Sequence, residues 1–501
     1  VNLKINYLKI ILSIGHYDCR KIMIKNKNII QNHFDKLASS RDIWIKKSKG
    51  FYSEDIRCMK ELIPSESKVL EIGCGNGHLL SSLKPSYGLG IDISKEMIIK
   101  AKEKNKNLIF IEADIEDENS IKEINEVFDF IILSDTIGYL SDIEGTLKRI
   151  HKFCNSDTRI IIAYYSPIWE PVLNLAAWLK LKMPELTKTL LNESDISSLM
   201  SSAGFETVKK QKKIIFPFSF LGIGRLINRF ISCIPLVSYL CVRNYVISRS
   251  LHAVSLNLPR SASVIIPCRN EKGNIRNALE RLPVFTENIE IIFVEGHSHD
   301  GTWEEVNKVI LDPTFIDKGF KMIAIQQKGK GKADAVFQAF EKAKNDVLII
   351  LDGDLTVPPE DIPKFWNKIS NGDAEYVNGS RLIYPMENEA MRFLNYVANK
   401  MFSILFTWLL GQRYTDTLCG TKVIRKSHYE KARNRNKDLG DFDPFGDFFI
   451  IFGAARLNLK MLEVPIRYRA REYGETQISR FSHGFLLIKM VIFAFFKLKA
   501  T

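Results

Sequence analysis

Two carboxylates, Asp352 and Asp354, stand two residues apart in "ILDGDLTVPPED", at the end of an apolar run. Acids on one tight turn are hard oxygen donors of the kind Mg2+ or Mn2+ takes, and a diphosphate can complete the octahedron. A lone D-x-D is common in acidic turns, so its neighbours decide. Upstream, "SVIIPCRNEKGNI" ends an apolar run in Pro267, Arg269, Asn270 and Glu271, and "KGKGKADAV" supplies glycines, Lys332 and Asp334 where phosphates or ribose would lie. Downstream, Arg381, Arg392, Arg467, Arg469 and Arg471 form a cationic set, and guanidinium forks bind phosphate oxygens in pairs. A hydroxyl acceptor also needs a general base, for which Asp447 in "DPFGDFFII" is the candidate; a phosphate acceptor is already anionic.

A second constellation lies in the first half. "VLEIGCGNGHLL" places Glu71, Gly73, Gly75 and Gly77 at a strand-to-helix turn, where glycine lets backbone approach a ligand closely. The spacing is G-x-G-x-G after an acid, not the G-x-G-x-x-G of a dinucleotide fold. Asp92 closes "YGLGID", Asp114 follows in "EADI", and Asp135 in "LSDTIGYL" is the nearest base for an acceptor hydroxyl. Tyr164 and Tyr165 could shape the acceptor pocket.

The stretch "EGHSHDGT", Glu295 to Thr302, invites a zinc reading. Its order is wrong for a His-x-His-x-Asp-His hydrolase, since Asp300 directly follows His299. The better reading is a strand end, with Asp300 or Thr302 placed to cap the next helix and His297 and His299 as passengers.

These residues stand just after apolar, β-rich runs, and the runs alternate with amphipathic helical patterns twice along the chain. The expectation is α/β architecture in two domains, each a largely parallel sheet with ligands beyond the carboxyl ends of its strands. The boundaries read as an N-terminal extension over 1–32, a first domain over 33–250, a linker over 251–261 and a second domain over 262–501 that ends in an amphipathic helix. A length of 501 residues requires more than one core, and 46% hydrophobic with 26% charged residues is globular composition. The formal charge of +13 favours anionic partners. Eight cysteines without a Cys-x-x-Cys pair point to a reduced, cytoplasmic setting, and no signal peptide or spanning run is read. Three apolar segments, Ile214 to Ile247 (read as an amphipathic helical face), Met401 to Leu410 and Phe485 to Phe496, have basic flanks suited to lying in an anionic membrane interface.

The first half resembles the class I S-adenosylmethionine-dependent methyltransferases, with a Rossmann-like sheet. The resemblance implies that Glu71, Gly73, Gly75 and Gly77 cradle S-adenosyl-L-methionine, that Asp92 holds the ribose hydroxyls and Asp114 the adenine amino group, and that Tyr52 in the lead segment helps close the site. Residues 262 to 480 resemble the family 2 glycosyltransferases of GT-A fold, in the branch of dolichyl-phosphate mannose synthase and bacterial polyprenyl-phosphate glycosyltransferases. That implies inverting transfer from a nucleoside-diphosphate sugar, with Asp354 a direct metal ligand beside Asp352, and with Glu271 and Glu295 at the nucleoside. It also implies Arg381, Arg392 and Arg471 at phosphate, and Tyr473 in an R-x-Y-G-E-S/T run where Gln477 replaces the usual lysine. The whole reads as a fused enzyme acting peripherally at the inner face of the cell membrane on a lipid-linked or glycan acceptor in surface-glycan synthesis. The alternatives are a glycosyltransferase with a non-catalytic methyltransferase-like module, against which the intact glycine triplet speaks, and a nucleic-acid methyltransferase, for which no recognition module is present.

Overall fold

The computed structural model describes residues 19–186, 188–218, 222–384, 393–437, 446–469, 473 and 480–500. The chain divides into two compact units, Val1–Ser250 and Leu251–Thr501.

In the first unit β1 (Lys68–Ile72), β2 (Tyr87–Asp92), β3 (Ile109–Glu112), β4 (Phe128–Ser134), β5 (Cys154–Tyr165), β6 (Phe205–Lys213) and β7 (Arg243–Ser250) form one sheet in the order β3-β2-β1-β4-β5-β7-β6. The first five pair in parallel, whereas β7 runs antiparallel to both β5 and β6. Alternation along the strands feeds two cores: Leu70, Ile72, Ile131 and Leu133 enter one, Val69, Ile132 and Ile161 the other. A strand that buries both faces must be apolar on both, and that is why these runs lack a polar stripe.

The reading of Ile214 to Ile247 as one amphipathic helical segment is corrected here. A helix covers only Ile223–Phe230, and the segment's end is strand β7, every residue of which is buried. The strand wins because β5 and β6 supply its ladder on both sides, while the charges of Arg243 and Arg249 are met by Asp55, Asp135 and Glu206.

The second unit repeats the plan with β8 (Ser261–Cys268), β9 (Asn288–Glu295), β10 (Phe320–Gln326), β11 (Val347–Ile350), β12 (Tyr376–Ser380), β13 (Lys422–Arg425) and β14 (Met461–Pro465). Their order is β10-β9-β8-β11-β13-β12-β14, with β13 antiparallel to β11 and β12. Register matters for the site: Cys268 lies opposite Glu295, and Glu295 opposite Gln326, so the ends of β8, β9 and β10 are level. Among the described residues no helix is long and apolar enough to cross a membrane. The helices Phe393–Leu410 and Arg480–Ala494 nevertheless keep Met401, Ile404, Ile488 and Ile492 about half exposed or more, while Phe406, Leu409, Met490 and Ala494 are fully buried.

Candidate functional site

In the first unit the glycine turn after β1 folds because its residues take left-handed backbone, φ 74° at Gly73, 51° at Gly75 and 74° at Gly77. At Gly73 the demand is also spatial, since a Cβ would collide with Thr136 Oγ1. Asp92 collects an amide from the turn and one from its own strand end: Gly75 N donates to Oδ2 at 2.7 Å and Ser94 N to Oδ1 at 2.9 Å. Glu71 is 3% exposed and accepts from Leu80 N at 3.1 Å. Burial, more than the opposing amide bond, pushes its carboxyl up to about 8. Burial likewise raises Asp92 above the ordinary carboxylate range.

Glu71, Gly73, Gly75, Asp92, Asp114, Asp135, Tyr52 and Tyr165 line one cavity of about 840 Å3. Gly77 stands at the start of the helix His78–Leu83 that flanks it. Asp114 is engaged on both oxygens, by Lys27 Nζ at 2.6 Å and Glu116 N at 2.9 Å. Asp135, in left-handed backbone after β4, accepts from Arg243 Nη1 at 2.5 Å, and its Oδ2 accepts from no described residue. Arg243 is fully buried and also bonds Asp55 and Ser134 Oγ. The Tyr52 hydroxyl accepts from Arg41 Nη1 at 3.0 Å; Arg41 also meets Met183 Sδ but, among the described residues, no carboxylate. Phe51 stacks on Tyr165 at 5.3 Å between centroids, and Lys182 lies over that ring. Tyr164 is 6% exposed and turned into the core.

In the second unit the level strand ends gather Arg269, Asn270 and Glu271 after β8, Glu295 at the end of β9, Lys332 after β10, and Asp352 and Asp354 after β11. Their loops are sewn together: Asn270 N donates to Ser298 Oγ at 2.9 Å, His299 N to Asn270 Oδ1 at 3.0 Å, and Glu271 N to Thr302 Oγ1 at 3.0 Å. Glu295, 2% exposed, accepts from Ser298 N. His297 and His299 are exposed. Gly301, not Asp300 or Thr302, holds the N-cap of the helix Thr302–Val309, at φ 87°; Asp300 Oδ1 accepts from Thr302 N one position inside. Asp334 accepts from Gly329 N and Gln338 Nε2, tying down the lysine- and glycine-rich loop.

The centre is ionic. Lys332 Nζ lies 2.6 Å from Asp352 Oδ1, and Lys422 Nζ, fully buried, 3.1 Å from Asp447 Oδ1. Burial alone would raise Asp352, but Lys332, then Lys422 and Arg381, hold its carboxyl below the usual range. Burial alone would lower Lys332, but Asp352, Asp447 and Asp354 hold it above. Each acid is felt by the same ammonium, so the three belong to one field. Asp354 Oδ1 accepts from Thr356 N and Oγ1, which fixes the turn. Gly420 stands so close to Asp352 that a Cβ there would overlap the carboxylate. Oxygen-only donors at one turn, one of them already holding a cation, fit Mg2+ or Mn2+.

Arg381 closes its fork on Asp416, with Nε to Oδ2 at 2.6 Å and Nη2 to Oδ1 at 2.7 Å. Arg467 is exposed and lies over the Tyr384 ring. The Tyr473 hydroxyl donates to Asp300 Oδ2 at 3.3 Å and its ring covers Gly273, which sets it beside the Glu271 turn. Arg392 and Arg471 lie outside the described residues, as do Gly474, Thr476 and Gln477.

The description "Glycosyl transferase family 2" matches residues 263–452 and "Methyltransferase domain" residues 46–210. A UDP-N-acetylglucosamine–dolichyl-phosphate N-acetylglucosaminyltransferase of Methanococcus voltae is 30% identical over 45% of this chain and 95% of its own length. The chain belongs to the family 2 glycosyltransferases and carries a methyltransferase domain. A dolichol-phosphate mannosyltransferase of Pyrococcus furiosus is 34% identical over 43% of this chain, and a low-salt glycan biosynthesis hexosyltransferase of Haloferax volcanii 27% over 46%. The chain spans about half the length of these two, 58% and 52%.

In this glycosyltransferase several residues of the site escape a sequence reading. Lys422 and Asp416 sit in "DTLCGTKV", where a buried lysine looks like a solvated one. Arg41 and Arg243 have no motif at all; their one sequence signal is charge at the edge of apolar runs.

Proposed function

We propose that the second domain transfers a sugar from a nucleoside diphosphate to a polyprenyl-phosphate or lipid-linked glycan acceptor, with inversion, and that the first methylates an intermediate of the same surface-glycan pathway. The observation that carries the first part is the joint field of Asp352, Asp354, Asp447, Lys332 and Lys422. Three acids against two lysines leave one negative charge, which suits a divalent cation; Asp352 and Asp354 would hold it. The metal, when bound, neutralises the departing diphosphate. Glu271 and Glu295 would bind the nucleoside. Lys332, freed from Asp352 by the metal, would turn to phosphate, with Arg381, Arg392, Arg467, Arg471 and Tyr473 completing the phosphate and acceptor sites. An acceptor oxygen bonds to the anomeric carbon as that carbon's bond to the diphosphate oxygen breaks. A hydroxyl acceptor would give its proton to Asp447; a phosphate acceptor has none to give.

In the first domain the glycine turn would cradle S-adenosylmethionine, Asp92 its ribose and Asp114 its adenine, and Arg41 would face the donor's carboxylate. The methyl carbon leaves sulfur as it bonds to an acceptor oxygen or nitrogen, and the acceptor's proton passes to Asp135 or water. Positioning supplies most of the effect. In this reading the domain limits are 33–250 and 262–501 and the setting is the cytoplasmic membrane face, to which the exposed apolar stripes on Phe393–Leu410 and Arg480–Ala494 lend support. The test is a panel of labelled nucleoside-diphosphate sugars offered with polyprenyl phosphate, with and without chelator. Transfer that persists after chelation sinks the metal assignment, and no transfer with any donor sinks the acceptor class.

A further inference from the structure

The helix Glu170–Trp178 buries none of its residues, yet all but Glu170 and Asn174 are apolar. Val172, Leu173 and Ala176 line the donor cavity, while Leu175 is 54% and Trp178 78% exposed. A second element meets the same cavity through Phe216 and Phe218, the latter 64% exposed. The helix Ile223–Phe230 and the turns that follow it leave Leu226 at 57% and Leu236 at 84%. Exposed lysine and arginine are interleaved with this surface: Lys180 follows the first helix, and Arg225, 70% exposed though 3.8 Å from the buried Glu54, lies in the second. A folded domain rarely leaves so much contiguous apolar surface in water, and aromatic, aliphatic and basic side chains in this mixture match the headgroup region of an anionic bilayer.

We propose that these two segments form a collar that docks the methyltransferase domain on an anionic phospholipid surface, and that its methyl acceptor is lipid-borne. The acceptor's polar head reaches the cavity between the segments while its chain stays in the bilayer, with the bond changes given above. Anionic lipid is favoured over a protein partner by the exposed basic side chains beside the apolar ones and by the collar's continuity with the cavity. The proposal rests on the methyltransferase reading of this cavity.

Hydrogen exchange on the full chain tests the docking. Vesicles of phosphatidylcholine with phosphatidylglycerol should slow exchange at 168–181 and 223–240 on the order of tenfold. The double variant Trp178→Ser/Leu236→Ser should lose that slowing and keep its calorimetric affinity for S-adenosylmethionine, since neither residue lines the cavity. Unchanged exchange in both segments, or equal slowing by pure phosphatidylcholine, overturns the docking. Methyl-tritiated S-adenosylmethionine and a total lipid extract should yield label in the chloroform phase; label confined to water, or found in neither phase, overturns the lipid-borne acceptor. Absence of S-adenosylmethionine binding by the unaltered chain would instead sink the methyltransferase reading, whatever the vesicles do.

Discussion

The acids at the glycine turn of the first unit and those of the second unit's ionic centre are held in different ways, although Asp114 and Asp135 in the first cavity are also ion-paired, to Lys27 and Arg243. Asp92 and Glu71 are held by backbone amides, from Gly75, Ser94 and Leu80, whereas Asp352, Asp447 and Asp416 are held by Lys332, Lys422 and Arg381. Amides orient these acids without supplying a cation, and the ligand proposed there is a sulfonium cation with ribose hydroxyls. Ion pairs store cations beside acids, and the ligand proposed there is a polyanion that arrives with a metal.

Four perturbations would break or sharpen that contrast. Asp354→Ala should lower sugar transfer by about 10^2–10^3-fold or more, while calorimetric binding of S-adenosylmethionine is untouched. Asp92→Ala should weaken S-adenosylmethionine about 10- to 100-fold, the worth of charged hydrogen bonds, and leave nucleotide-sugar affinity alone. Equal loss at both sites in either variant would end the two-site description. Gly420→Ala forces a methyl into the Asp352 carboxylate, and an overpacking cost of roughly 1–3 kcal/mol should appear in transfer rate and in denaturant midpoint of the second domain. If the midpoint moves and the rate does not, Asp352 is structural.

The smallest effect is a slope. Glu71 titrates near 8 when folded and near 4.5 when unfolded, so between those values the folded state holds a proton the unfolded state has lost. Stability should fall as pH rises across that window, by at most about 1.4 kcal/mol per pH unit, and Glu71→Gln should flatten the curve. A Gln variant with the parent's slope would show that another group carries it.

How much of this was legible in sequence follows the same divide. Buried parallel strands such as β1 and β9 announce themselves, because burial on both faces leaves "IIFV" with nothing polar and "VLEI" with a single motif acid. The antiparallel additions do not: β6 reads "FETVKKQKK", β7 "RNYVISRS" and β13 "KVIR". Their lysines and arginines look solvated until distant acids such as Glu206 and Asp447 are folded against them. For the same reason the motif residues Glu71, Asp92, Asp352 and Asp354 could be named from spacing, while Lys422, Asp416, Arg41 and Arg243 meet their partners Asp447, Arg381, Tyr52 and Asp135 only in the fold. Gly420 was readable only as part of a run, since its reason is a carboxylate 68 residues earlier, Gly420 against Asp352.

The place of β7 has a consequence for synthesis. It is the last strand of the first unit to leave the ribosome, yet it inserts between β5 and β6. Until it emerges, β6 has no neighbour in the sheet, and Asp55, buried on the helix Lys49–Leu62, has no guanidinium. The nascent domain must therefore wait, open on one edge and carrying an unpaired acid, for its final eight residues. A chain that stops short of Arg243 would have every motif residue of the donor site and still lack the means to finish it.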